Sequence, residues 1–126
     1  MTERPLSPHL SIYRLMLTMV MSMAHRLTGA ALYAGTLLLA WWLIAVAAGP
    51  QGYAAFDWFI GSWLGRLVLL GFTWALIHHM LGGLRHLVWD TGRGHEIASV
   101  ELMARASLAG SVVLTVLVWG LGYWAR

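Results

Sequence analysis

The stretch Leu67-Val68-Leu69-Leu70-Gly71-Phe72-Thr73-Trp74-Ala75-Leu76-Ile77-His78-His79-Met80-Leu81-Gly82-Gly83-Leu84-Arg85-His86-Leu87-Val88-Trp89-Asp90 passes from an apolar run straight into a cluster of ionisable groups. Residues 67–77 carry no charge, whereas positions 78–90 hold three of the six histidines, one of the eight arginines and one of the five acids. An apolar run of this kind suits lipid. Ionisable groups at membrane depth are costly unless they face a partner or a polar cavity, and so they mark function. The stretch predicts a membrane helix with a cofactor seat towards one end.

Composition supports the bilayer as solvent. The 126 residues are 60% hydrophobic and 10% charged, with a mean hydropathy of +0.70. A soluble domain carries about 25% charged residues. The 8 tryptophans fit membrane interfaces, where this residue collects. There is no cysteine, which excludes disulfides, thiolate iron–sulfur ligation and cysteine-based zinc sites. The net charge of +3 includes no lysine, and its arginines are scattered, so no nucleic-acid partner is expected.

Working outward from the opening stretch, the chain divides into three spans within a single membrane-anchor domain, residues 1–126. Residues 1–21, with Arg4-Pro5-Leu6-Ser7-Pro8-His9, two prolines and a turn-favouring Ser7-Pro8 pair, read as an arm at the membrane surface. Met16, Met19, Met21 and Met23 lead into the first span as simple apolar contacts. Leu27 to Gly49 carries no charge over 23 residues, against about 20 needed to cross a bilayer. Ala45-Val46-Ala47 looks like a signal-peptide cleavage site, yet the apolar region is too long for one. The spans are expected at about 22–49, 62–86 and 103–124. Gln51 to Ser62 and Arg85 to Arg105 are read as connections, with Thr91-Gly92-Arg93-Gly94 as the turn in the second.

Arginine placement sets the expected orientation. Arg4, Arg14, Arg26, Arg85, Arg93 and Arg105 fall on one side, Arg66 and Arg126 on the other. The positive-inside rule then puts the N-terminus in the cytoplasm and the C-terminus outside. Trp41, Trp42, Tyr53, Trp58, Trp63, Trp119, Tyr123 and Trp124 form an aromatic belt on the outer side. The fold class is thus an all-α integral membrane protein of three transmembrane helices. Three helices are few for a self-contained core, and a partner chain is expected to complete a hetero-oligomeric bundle.

Helical spacing aligns His79, Gly82, Gly83 and His86 on one stripe. A histidine followed one turn later by glycine suits haem: the imidazole ligates iron and the missing side chain leaves room for a macrocycle. Close helix packing across small residues is the competing explanation for Gly82 and Gly83. On the first helix, Ser22, His25, Arg26 and Gly29 share a face. Arg26 suits a carboxylate such as a haem propionate, and equally a snorkelling interfacial anchor. His79 precedes Arg85 by six residues, roughly 9 Å of helix rise. In antiparallel helices the two clusters therefore meet at one depth. A membrane bundle with a cofactor or polar-ligand site near its cytoplasmic face is the reading these residues support.

Three motifs resemble those of a known family, the cytochrome b (b556) membrane-anchor subunit of succinate dehydrogenase, respiratory complex II. They are Arg4-Pro5-Leu6-Ser7-Pro8-His9-Leu10-Ser11-Ile12-Tyr13, Ser22-Met23-Ala24-His25-Arg26-Leu27-Thr28-Gly29, and His79-x-x-x-Gly83-x-Arg85-His86-x-x-x-Asp90. Their order, spacing and three-span layout are similar to the family's over essentially the whole chain.

The resemblance implies one haem b shared with a second small anchor subunit that supplies the other axial ligand. It implies His79 as the axial ligand in this chain, with His25, Arg26 and His86 near the propionates. It also implies a ubiquinone site at Ser22 and Arg26, fed by the iron–sulfur subunit. Succinate oxidation falls to the flavoprotein subunit, so this chain is expected not to be an enzyme on its own. Its role is to anchor the machinery and pass electrons to quinone, within the tricarboxylic acid cycle and aerobic electron transport. His78 also satisfies the four-residue spacing to Gly82, but the Arg85-His86 register selects His79. His78, His9 and His95 are not expected to be ligands.

A haem-free structural anchor of the same architecture is a second reading. A small transporter or channel fragment is a third, opposed by the outward half, where Thr36 to Trp42 and Leu67 to Trp74 offer no continuous chain of ionisable residues. Fumarate reduction runs the same chemistry backwards and fits the same residues. With no presequence rich in arginine and serine, a bacterial inner membrane is expected over a mitochondrial one.

Overall fold

The computed structural model describes Pro8 and residues 11–125 of the chain. The beginning of the N-terminal arm, including Arg4 and His9, lies outside the described residues. The remainder is all-α: α1 (Leu17–Ala47), α2 (Gly49–Gly61), α3 (Trp63–Asp90) and α4 (Ile97–Trp124). Of these, α1, α3 and α4 are long and apolar enough to cross a membrane. The charge-free cores of 20 or so residues are shorter than the helices that contain them. Helix α1 has 31 residues and α3 and α4 have 28 each. Charged residues that read as connections, Arg85 and Asp90 among them, therefore continue α3 by more than a turn.

Helix α3 is the centre of the bundle, packed against α1 on one side and α4 on the other, with α1 touching α4 less. Small residues govern both contacts. The Phe72 ring sits against Gly35, where a Cβ would stand 2.0 Å from Phe72 Cε2. On α4, Ala104, Ser107, Ser111 and Thr115 form the buried face. Their spacings of three and four keep them on one stripe. The hydroxyls of Ser107 and Thr115 return to carbonyls four residues back at 2.7 Å each, so neither enters the interface unsatisfied.

The segment from Gln51 to Ser62, expected as a plain connection, forms most of α2. Its boundaries follow from local chemistry. Gly49 takes φ 77°, which ends α1, and Pro50 occupies the first turn of α2, where a missing N–H is harmless. At the far end Ser62 caps α3 by accepting from Gly65 N at 3.0 Å. The corner between α3 and α4 uses Gly92 at φ 75° and Gly94 at φ 74°, and Trp89 Nε1 donates to Gly94 O at 3.0 Å across it. The expected turn at 91–94 is where the chain reverses.

Little of the apolar surface is covered. Only 6% of the residues in the most apolar stretch of α1 are buried, against 22% in α3 and in α4. Lipid or another chain must cover the rest, because water would make so much apolar area unfavourable.

Candidate functional site

The site lies where α1 crosses α3, at the end of α1 that follows the arm. Gly82 lets the two helices meet there: a Cβ would come within 2.3 Å of His25 Cδ2, so only glycine admits the His25 ring. His25 in turn stacks on His79 with ring centroids 3.9 Å apart and planes 14° from parallel. His86, two turns beyond His79 along α3, meets His25 edge-on at 5.6 Å and Trp89 at 5.1 Å. Three of the histidines singled out in the sequence thus form one row, with His25 in the middle.

His79 is held on one side only. Its Nδ1 lies 3.1 Å from His25 O and 3.3 Å from Thr28 Oγ1. A carbonyl oxygen can only accept, so Nδ1 carries the proton and donates. The Nε2 lone pair is then left for another partner. Metal-bound histidines are oriented in this way, with one ring N–H given to an acceptor and the other nitrogen given to the metal.

The two glycines of the doublet have different tasks. Gly82 is filled by His25, whereas a Cβ on Gly83 would meet nothing within 4 Å. Gly83 therefore presents open space beside the His79 turn. Buried nitrogens await partners nearby: His25 Nε2 and Arg85 Nε have none among the described residues. Arg85 is one turn beyond Gly82, with its guanidinium 5.1 Å from the Trp89 ring centroid. A ring nitrogen with no partner among the described residues, an open glycine and two buried, unpartnered nitrogens suit a haem with two propionates. No group of three His, Cys, Asp or Glu side chains is placed to hold a metal ion among the described residues.

Ser22 and Arg26 do not join that row. They lie one turn apart on another side of α1, both exposed, and line a cleft of ≈ 630 Å³ with Tyr13, Thr18, Met19, Met23 and Leu27. No α3 residue lines it. The face expected to hold Ser22, His25, Arg26 and Gly29 together is thus divided, with His25 and Gly29 against His79 and the other two turned to the cleft. All of its lining comes from α1 and the residues just before it.

His78 faces the other way. It is 1% exposed, stacked on Trp74 at 5.1 Å, and its Nδ1 lies 3.2 Å from Ser111 Oγ of α4. It is an interior residue of the α3–α4 contact. His95 sits by the α3–α4 corner, with Nε2 3.2 Å from Trp89 O. Sequence reasoning gave no role to Thr28, although it falls in the second motif. The signal was there, but only a contact between helices gives it meaning.

These features describe a membrane subunit whose polar site lies between two spans. The matching family model is that of the succinate dehydrogenase/fumarate reductase transmembrane subunit, over residues 1–118. The chain is 51% identical over 115 residues to the succinate dehydrogenase cytochrome b556 subunit of Paracoccus denitrificans, covering 91% of this chain and 88% of that one. Against the cytochrome b556 subunit of Rickettsia felis the identity is 37% over 117 residues, covering 93% and 91%. Against the mitochondrial cytochrome b560 subunit of Bos taurus it is 38% over 117 residues, covering 91% and 67%.

The chain belongs to the succinate dehydrogenase/fumarate reductase transmembrane subunit family. It is a non-catalytic, cytochrome b-type subunit of a multi-subunit oxidoreductase complex. Three apolar spans and the bacterial relatives support a multi-pass location in the bacterial inner membrane.

Proposed function

We propose that this chain binds one haem b and forms part of the quinone-reduction site of a succinate:ubiquinone oxidoreductase. The observation that carries the proposal is the state of His79. Its Nδ1–H is taken up by His25 O and Thr28 Oγ1, and among the described residues its Nε2 has no partner and Gly83 beside it is open. In this reading His79 Nε2 would hold the haem iron. A second small anchor subunit would supply the remaining protein ligand, which agrees with the sparse burial of α1. His25 and His86 would lie near the propionates, and the unpartnered His25 Nε2 favours such a role. Arg26, expected there as well, is turned with Ser22 to the cleft on another side of α1 and is assigned to the quinone instead. When bound, the haem supplies a one-electron redox centre beside the quinone.

The cleft at Ser22 and Arg26 receives the ubiquinone ring, with Met19, Met23 and Leu27 as apolar walls. Two electrons from the iron–sulfur subunit and two protons from water convert quinone to quinol. Negative charge grows on the carbonyl oxygens as electrons arrive. A hydroxyl donor at Ser22 and a cation at Arg26 stabilise it most where water is scarce. The flavoprotein subunit oxidises succinate and delivers the electrons. The whole chain, residues 1–126, acts as one anchor domain, with the arm at 1–21 on the cytoplasmic surface and the C-terminus outside.

The test is an assay of the intact complex with two electron acceptors. Arg26→Ala is expected to lower succinate–quinone reduction at least tenfold while leaving succinate oxidation by a soluble artificial acceptor unchanged. Equal loss of both activities places Arg26 in assembly and overturns its role in the cleft.

A further inference from the structure

Thr28 is a buried α1 residue, 4% exposed, whose hydroxyl touches the imidazole assigned above to iron. Its Oγ1 lies 2.9 Å from Ala24 O, 3.0 Å from His25 O and 3.3 Å from His79 Nδ1. A hydroxyl has one proton and two lone pairs. The proton goes to the helix carbonyls of Ala24 and His25, the usual return of a threonine to its own helix. The lone pairs remain for His79 Nδ1–H. Next to it, Gly29 keeps the approach open, because a Cβ there would stand 3.0 Å from His79 Cε1. Adjacent residues of α1 thus seat the ring, one through an acceptor and the other through the lack of a side chain.

On the reading that His79 ligates haem, we propose that Thr28 is a positioning residue for that haem. Its Oγ1 shares the Nδ1–H of His79 with the His25 carbonyl. Two acceptors in different directions hold the ring against rotation and keep the tautomer that leaves Nε2 free. An acceptor on Nδ1–H also makes the imidazole more electron-donating, which favours the oxidised iron and lowers the potential.

The experiment compares Thr28→Val and Thr28→Ser in the intact complex, without turnover. Val keeps the bulk and removes the acceptor, whereas Ser keeps the hydroxyl. Haem content, midpoint potential of the reduced b band and the low-spin ferric EPR g-values are measured. Val is expected to raise the potential and move the g-values, and Ser to match the wild type. Haem loss in Val with retention in Ser also supports the proposal. Unchanged potential and g-values in Val overturn it, as do a Ser shift as large as that of Val or haem loss in both variants. A His79→Ala control separates the two layers. A retained b band in that control removes the ligand assignment and the Thr28 role with it. Its loss, together with a silent Val variant, removes only the Thr28 role.

Discussion

At the scale of single residues, two adjacent glycines make opposite predictions. Gly82→Ala forces a Cβ to within 2.3 Å of His25 Cδ2, so the His25 ring must leave its place on His79. Gly83→Ala meets nothing within 4 Å among the described residues. If the open side of Gly83 seats the macrocycle, Gly83→Ala assembles in normal yield yet loses most of its haem per complex. Full haem content in that variant moves the macrocycle elsewhere. Haem per complex and complex yield, measured together, decide this. The sequence shows the glycine doublet but not this division, since spacings of three and four both reach the His79 face. Which glycine is filled depends on where the second helix crosses. Thr28 was illegible for the same reason, because its role rests on a single contact 51 residues away in sequence.

At the scale of elements, the three spans were plain because long charge-free runs permit little else in a bilayer. Helix α2 was not. Gln51 to Ser62 reads as a connection, but Gly49, Pro50 and Gly61 delimit a helix over it instead. The join between α2 and α3 rests on Gly65, where a Cβ would lie 2.0 Å from Phe59 O, a backbone atom with little freedom to move. Gly65→Ala should destabilise the subunit by about 1–3 kcal/mol, the usual cost of overpacking. It should lower the temperature at which the purified complex loses its b spectrum. Gly61→Ala, with nothing within 4 Å of the added Cβ, is the matched control and should leave that temperature unchanged. Equal behaviour of the two variants contradicts the corner described here. The polar stripe of α4 was likewise unforeseen, because buried serines and threonines in a span look no different from lipid-facing ones until their partners are seen.

At the scale of the whole molecule, the chain leaves most of its apolar surface uncovered, with Tyr33 82% and Leu37 74% exposed on α1. Expression without the second anchor subunit should give little accumulated chain and no b band, and co-expression should restore both. Orientation rests on arginine placement and is open to direct test, since the native chain has 0 cysteines to label in the background. With an impermeant maleimide on intact spheroplasts, Asp57→Cys should react and Thr91→Cys should react only after permeabilisation. The reverse pattern inverts the topology. The central claim is that His79, and not its neighbour His78, binds haem iron. His78 is 1% exposed and tied to Ser111, while His79 Nε2 has no partner among the described residues. The reduced-minus-oxidised spectrum of the complex carrying His79→Ala, set beside that of His78→Gln, tests this directly. The account predicts loss or replacement of the b band in His79→Ala and its retention in His78→Gln; an unaltered band in His79→Ala would contradict it.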